Sequence, residues 1–250
     1  MASCRACDEP LVLYVADRED EGGDVGTVDV PDDIELSCRC HYHWQCLMDN
    51  ASLIVSNFCC PSCSQDISSA AASAASSHSP GTPAILVRYT NEGGTQDGLD
   101  ILSSVTEEAY LESHPEAAPA RAFHVMCAGG DVDGLVELVY RSGDQVSDLG
   151  GMVRYQDPLS GMKSGLHLAV ENRQEGVAWL LLWLSSSLPS SVFPSVARQS
   201  VESMGLGRLE VDTTTDIRSL LDGEGRTAST LSAQLGRPQM RLADLGLLAL

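Results

Sequence analysis

The stretch Cys38-Arg39-Cys40-His41-Tyr42-His43-Trp44-Gln45-Cys46 sets five thiol or imidazole side chains within nine positions, and everything around it is read from there. Upstream, after thirty residues, lies Cys4-x2-Cys7; downstream, after thirteen, lies Cys60-x2-Cys63. Zinc takes four sulfur or imidazole ligands in a tetrahedron, and a C-x2-C turn presents two thiolates to one ion. Eight such ligands, Cys4, Cys7, Cys38, Cys40, His43, Cys46, Cys60 and Cys63, make two sites. Cys59 and His41 are spare candidates beside Cys60 and His43, and register favours the latter two. Eight of the nine cysteines lie within the first 63 residues, and Cys127 stands alone. The N-terminus lacks the basic-then-apolar pattern of a signal peptide, so clustered cysteines with nearby histidines read as metal binding and not as a disulfide framework.

Composition bounds the rest. Of 250 residues, 43 % are hydrophobic, enough for a packed core, and only 5 % are aromatic, which favours small Ala/Leu/Val packing. Lys and Arg total 15 against 35 Asp and Glu, a net charge of -20. Phosphate backbones and anionic bilayers repel such a chain, so neither a nucleic acid nor a membrane is an expected partner. The longest apolar run, Val177–Leu184, is far too short to cross a bilayer. An intracellular protein, cytoplasmic or nuclear, is the expectation. Residues 1–66 carry the cysteines; 67–84, around the Ser/Ala/Pro run Ser68–Pro83, read as a flexible linker. Residues 85–119 are a connecting segment of unassigned role, with a strand at Ile85–Tyr89 and a capping box at Ser104–Glu107 opening a helix to about Ser113. Asp17–Glu35 holds nine acidic residues and one basic, Arg18; it reads as a solvated excursion, with steering of a basic partner as the sharper alternative. Leu11–Val15 before it reads as a strand.

Ile34-x-Leu36-x-Cys38-x-Cys40-x-Tyr42-His43-x2-Cys46-Leu47, closed by Cys60-Pro61-x-Cys63, resembles a RING finger over residues 1–66. The resemblance implies a cross-braced arrangement, with Cys4, Cys7, His43 and Cys46 on one zinc ion and Cys38, Cys40, Cys60 and Cys63 on the other. PHD fingers and the RING-CH variant share this order of ligand types, and Phe58 sits where a PHD finger often has an aromatic. Both place a longer gap before the histidine than the two residues between Cys40 and His43. A RING finger does no covalent chemistry; it would hold a ubiquitin-charged E2 enzyme in a reactive arrangement. Pro61 fits an E2 contact, and Leu53, Ile54 or Phe58 would supply apolar contact. Two positions depart from the family: Ala6 stands where a larger aliphatic is usual, and Ser64 where Arg or Lys is common. Losing one aliphatic contact costs roughly 1–3 kcal/mol.

In the C-terminal half, Phe123-His124-x-Met126-Cys127-x2-Gly130 and Ser164-Gly165-Leu166-His167-Leu168-Ala169 resemble ankyrin repeats, as does Gly225-Arg226-Thr227-Ala228 with Gly236. A degenerate unit with Gln199 and Gly205 fits between the last two. The resemblance implies helix pairs that hide their apolar faces by stacking. Gly130 and Gly236 would release the chain between paired helices, and Gly143 and Asp144 would stop the second helix of the first unit. Trp179 and Trp183 read as packing between repeats, Cys127 as a small core residue, and His124 and His167 as turn-stabilising hydrogen-bonding residues.

The expected fold is a small zinc-stabilised α+β RING finger followed by an all-α ankyrin-repeat solenoid over 120–250. The expected function is an E3 ubiquitin ligase with no catalytic residue of its own, recruiting an E2 through the RING finger and a protein substrate through the repeats. The alternative is a zinc-binding interaction scaffold, supported by Ala6 and Ser64. Lys163 is the only lysine, which suits a ligase that must not modify itself and equally suits an arginine-rich codon bias.

Overall fold

The computed structural model describes residues 3–16, 27–70, 83–145, 149–195, 198, 205, 207–212, 214–235, 242 and 245–249. Two compact units divide the chain, Met1–Pro115 and Glu116–Leu250.

The first unit is built on alternation. Asp33-Ile34-Glu35 forms strand β3 with Ile34 fully buried between two half-exposed acids, the period of a strand with one wet face. It pairs antiparallel with β4 (His41–Tyr42) on one side and with β7 (Leu86–Asn91) on the other; β7 pairs in turn with β8 (Gly94–Asp100). Before this sheet, β1 (Val12–Ala16) and β2 (Thr27–Pro31) form a separate antiparallel ribbon. After β4 come the short helices α1 (Trp44–Met48) and α2 (Ala51–Asn57), and after β8 comes α3 (Leu102–Ser113). Ile34, Tyr42, Leu47, Ile54, Ile67, Ile85, Ile101 and Val105 are essentially inaccessible and form one core with Cys4, Cys40 and Cys60. Fully burying an aliphatic side chain is worth about 2 kcal/mol.

The boundary expected at residue 66 is therefore not where this unit ends. Ile85 and Val87 complete the core that Ile34 and Ile54 begin, and β7 is the long neighbour of β3. The expected linker does not lead away to a second domain: β5 (Ser69–Ala70) and β6 (Pro83–Ala84), at its two ends, pair with each other. Residues 71–82 within it, and residues 17–26 of the acidic excursion, lie outside the described residues. The helix expected from a capping box at Ser104 starts earlier, because the Asp100 carboxylate accepts the Leu102 and Ile85 N–H groups and caps from strand β8.

The second unit overturns the all-α solenoid. Among the described residues two helix pairs are present, α4 (Ala118–Gly129) with α5 (Val132–Gln145), and α7 (Gly165–Glu171) with α8 (Glu175–Ser185). Between the pairs the described residues form the short helix α6 (Leu149–Val153) and a 3-10 turn at Pro158–Ser160. Between Ser185 and α9 (Ala228–Gln234) the described residues form 3-10 turns at Ser190–Val192 and Ile217–Ser219, extended chain, and one helical hydrogen bond from Arg198 N–H to Pro194 O. Pro189, Pro194 and the serines between them break the period that stacked helix pairs require. With the strands of the first unit, the whole is mixed α and β. Gly130 does turn the chain between α4 and α5, with φ +80°, and a Cβ there would meet the Gln174 side chain. Helix α5 runs through Gly143 and Asp144 to Gln145, so neither stops it. Gln199 and Gly236 lie outside the described residues, as does the terminal Leu250.

Within that unit His124 Nε2 donates to the Tyr155 carbonyl at 3.1 Å and His167 Nε2 to that of Arg226 at 3.0 Å. Both rings pin one turn to a later one. Trp179 and Trp183 pack edge-on against Phe193, at 5.7 and 5.3 Å between ring centroids, and Cys127 is fully buried.

Candidate metal centre

Two loops of the first unit are built alike. Cys4 N–H donates to Glu9 O and its carbonyl accepts from Asp8 N–H, both at 2.9 Å; Cys60 N–H donates to Gln65 O and its carbonyl accepts from Ser64 N–H, again both at 2.9 Å. Asp8 and Ser64 close these turns at φ 63° and 57°, a left-handed conformation that costs a residue with a Cβ about 1 kcal/mol or more. Each turn aims two sulfurs, Cys4 with Cys7 and Cys60 with Cys63, to one side. A third turn, with Arg39 at φ 65° and Leu36 N–H bonded to Cys40 O, does the same for Cys38 and Cys40. Helix α1 opens right after His43 and carries Cys46 one turn later.

These elements bring the donors together in two groups. Cys4, Cys7, His43 and Cys46 form one, and Cys38, Cys40, Cys60 and Cys63 the other; the ligand atoms of each lie within 4.8 Å of one another. Each group takes one close pair from each of two separate stretches, so the two are interleaved along the chain. Either can hold a metal ion. His43 is set for it: Nε2 donates to the Pro10 carbonyl at 2.8 Å, which leaves Nδ1, 3.4 Å from Cys7 Sγ and 3.8 Å from Cys46 Sγ, with a free lone pair. Cys59 and His41 join neither group. The Cys59 thiol donates to Asn57 O, and His41 Nδ1 sits 2.8 Å from Asp33 Oδ1.

The electrostatics favour a cation. Burial raises the Cys4 thiol, but backbone N–H groups of Cys7, His43 and Ala6 outweigh it and bring it to about 7. Burial likewise raises Cys60, but the Tyr42 hydroxyl and the N–H groups of Cys63 and Ser62 bring it to about 7. Each group thus holds one sulfur ready to ionise near neutral pH. Burial, then the neighbouring sulfurs, push Cys46 up to about 12 and raise Cys40 as well. Mutual repulsion of thiolates is what a bound cation relieves.

Of two supporting residues, Asp32 carries no signal in the spacing pattern, and Tyr42 enters it only as a neighbour of the ligand His43. Asp32 is 3 % exposed and takes the Trp44 N–H on Oδ2 and the Tyr89 hydroxyl on Oδ1, both at 3.1 Å, tying the start of α1 to β7. It lies within the acidic excursion, where charge alone marks it as solvated. Tyr42, fully buried, directs its hydroxyl at Ser62 and Cys60.

The residues expected to meet an E2 are placed unevenly. Ala6 and Ser64 are exposed, Leu53 on α2 is 46 % exposed, and Phe58 and Pro61 are half-buried. Ile54 is fully buried under α3 and offers nothing to a partner. Among the described residues no helix is long and apolar enough to cross a membrane. No family model matches the chain, nor does any curated protein or solved structure.

Proposed function

We propose that both groups bind zinc and that the first unit acts as a RING-like module holding a ubiquitin-charged E2 enzyme, with the second unit offering a surface for a protein substrate. The observation that carries it is the interleaving: Cys4/Cys7 with His43/Cys46, and Cys38/Cys40 with Cys60/Cys63. Three thiolates with one imidazole and four thiolates are donor sets that suit zinc. Four sulfurs at zinc–thiolate distance stand about 3.8 Å apart, so a spread of 4.8 Å closes with small side-chain rotations. Zinc supplies folding energy here and takes no part in a chemical step. The exposed Leu53 and half-buried Phe58 and Pro61 form the apolar contact; transfer of ubiquitin takes place on the E2, held in a reactive geometry.

A zinc-stabilised interaction scaffold without ligase activity is the second reading. It is favoured by Ser64, which carries no cation to bridge E2 and ubiquitin, by the short Ala6 side chain, and by the burial of Ile54. Discharge of E2~ubiquitin onto free lysine, across a panel of E2 enzymes, decides between them. The ligase reading expects at least one E2 to discharge faster with the metal-loaded chain and Leu53→Ala to lose most of that gain. No response from any E2, with metal still bound, leaves the scaffold.

A further inference from the structure

Resting on the two-ion reading above, we infer that Tyr42 is a positioning residue for the all-cysteine site, its hydroxyl donating a hydrogen bond to the metal-bound sulfur of Cys60. The two groups differ in charge. Around a dication, Cys4, Cys7, Cys46 and neutral His43 leave one net negative charge, whereas Cys38, Cys40, Cys60 and Cys63 leave two. Cys40 and Cys60 are 7 % and 1 % exposed, so the more highly charged centre sits against the core, where unpaired charge is costly. A donor aimed at one of its sulfurs spreads that charge.

Tyr42 is that donor. Its side chain is wholly buried, and a phenol so placed needs a partner for its proton. The oxygen lies 3.2 Å from Cys60 Sγ and 2.7 Å from Ser62 Oγ, and accepts the Ser62 N–H at 3.1 Å. One hydroxyl carries one proton, so it serves one acceptor at a time. With Cys60 bound as thiolate, the sulfur has no proton to give, and the Tyr42 proton belongs to it; the Ser62 hydroxyl then turns to donate to the Tyr42 oxygen. Residue 42 also stands between Cys40 of one site and His43 of the other, so its placement couples them through a single strand.

The test uses the full chain loaded with cobalt(II), whose ligand-field spectrum distinguishes a four-sulfur site from a three-sulfur, one-nitrogen site. Tyr42→Phe should shift the sulfur-to-cobalt charge-transfer band of the four-sulfur site. It should also release one of the two ions to a competing chelator about tenfold more readily, the lower end of what loss of a supporting hydrogen bond to a ligand costs. Ser62→Ala should leave both readouts unchanged, because Tyr42 keeps its proton for Cys60 and its oxygen keeps the Ser62 N–H. Two ions held by Tyr42→Phe with unchanged band and release overturns the inference alone. Loss of both ions together with the fold overturns it too, since the hydroxyl would then serve the core and not one thiolate. A wild-type chain that binds no cobalt overturns both this inference and the two-ion reading.

Discussion

Asp216 shows how much of the second unit hangs on one carboxylate. It is fully buried; Oδ1 accepts the Arg218 N–H and Nε, and Oδ2 accepts Arg218 Nη2 and the N–H and hydroxyl of Ser187. Burial alone would raise this acid, but Arg218 and Ser187 hold it at about 2. Removing one partner of such a pair strands the other charge, so Asp216→Asn should cost about 3–5 kcal/mol in urea unfolding of this unit. His124 makes the opposite case. Burial, against the pull of Asp157, lowers the ring from 6.5 to about 4. The folded state therefore prefers neutral His124, and the unfolded chain binds a proton first as pH falls. Stability is intact above 6.5 and lost progressively between 6.5 and about 4, by about 3 kcal/mol in all. Unfolding followed by the near-ultraviolet signal of Trp179 and Trp183 at pH 7 and pH 4.5 should show this loss, and His124→Gln should reduce it, the remainder belonging to His167, which burial lowers likewise. An unchanged slope in the variant would assign the pH dependence to another group.

Elements show where sequence reading stops. Cys4, Cys7, Cys38, Cys40, His43, Cys46, Cys60 and Cys63, which the structure gathers, are the residues the spacing singles out, because a turn that presents two sulfurs is a local device. The strand at Ile85–Tyr89 is legible too, from β-branched residues in a short run, within a residue or two of β7. Its partner is not, because β3 lies some fifty positions away and pairing across that distance is decided by register and shared burial. The role of residues 85–115 is hidden in the sequence for the same reason. In the second unit the two helix pairs are legible, with α4 packed against α7 and α5 against α8, but the array they imply is not, since Pro189 and Pro194 interrupt the described chain where a third pair is expected. A fragment ending at residue 66 lacks Ile67, Ile85, Val87, Ile101 and Val105, five of the sixteen buried residues of its core. Supplied with zinc, it should melt without a cooperative transition, whereas a fragment of residues 1–115 should melt sharply. A sharp metal-dependent melt of the shorter piece would show that β7, β8 and α3 are an addition and not part of the fold.

For the molecule as a whole, two compact units imply two sources of stability. Ligands of both candidate sites lie in the first unit, while the second rests on an apolar core around Phe123, Leu135, Leu166 and Leu181. Metal affinity is folding energy only for the first. A chelator should unfold the first unit and leave most of the helical circular dichroism, which α4, α5, α7 and α8 dominate. Collapse of the entire signal would show the units to be one cooperative body. The most direct test is the metal content of the purified full chain by native mass spectrometry. Two zinc ions per chain are expected, with one lost in Cys4→Ser and one lost in Cys38→Ser. A chain that carries no metal, or that loses neither ion in either variant, contradicts the interleaved pair of sites.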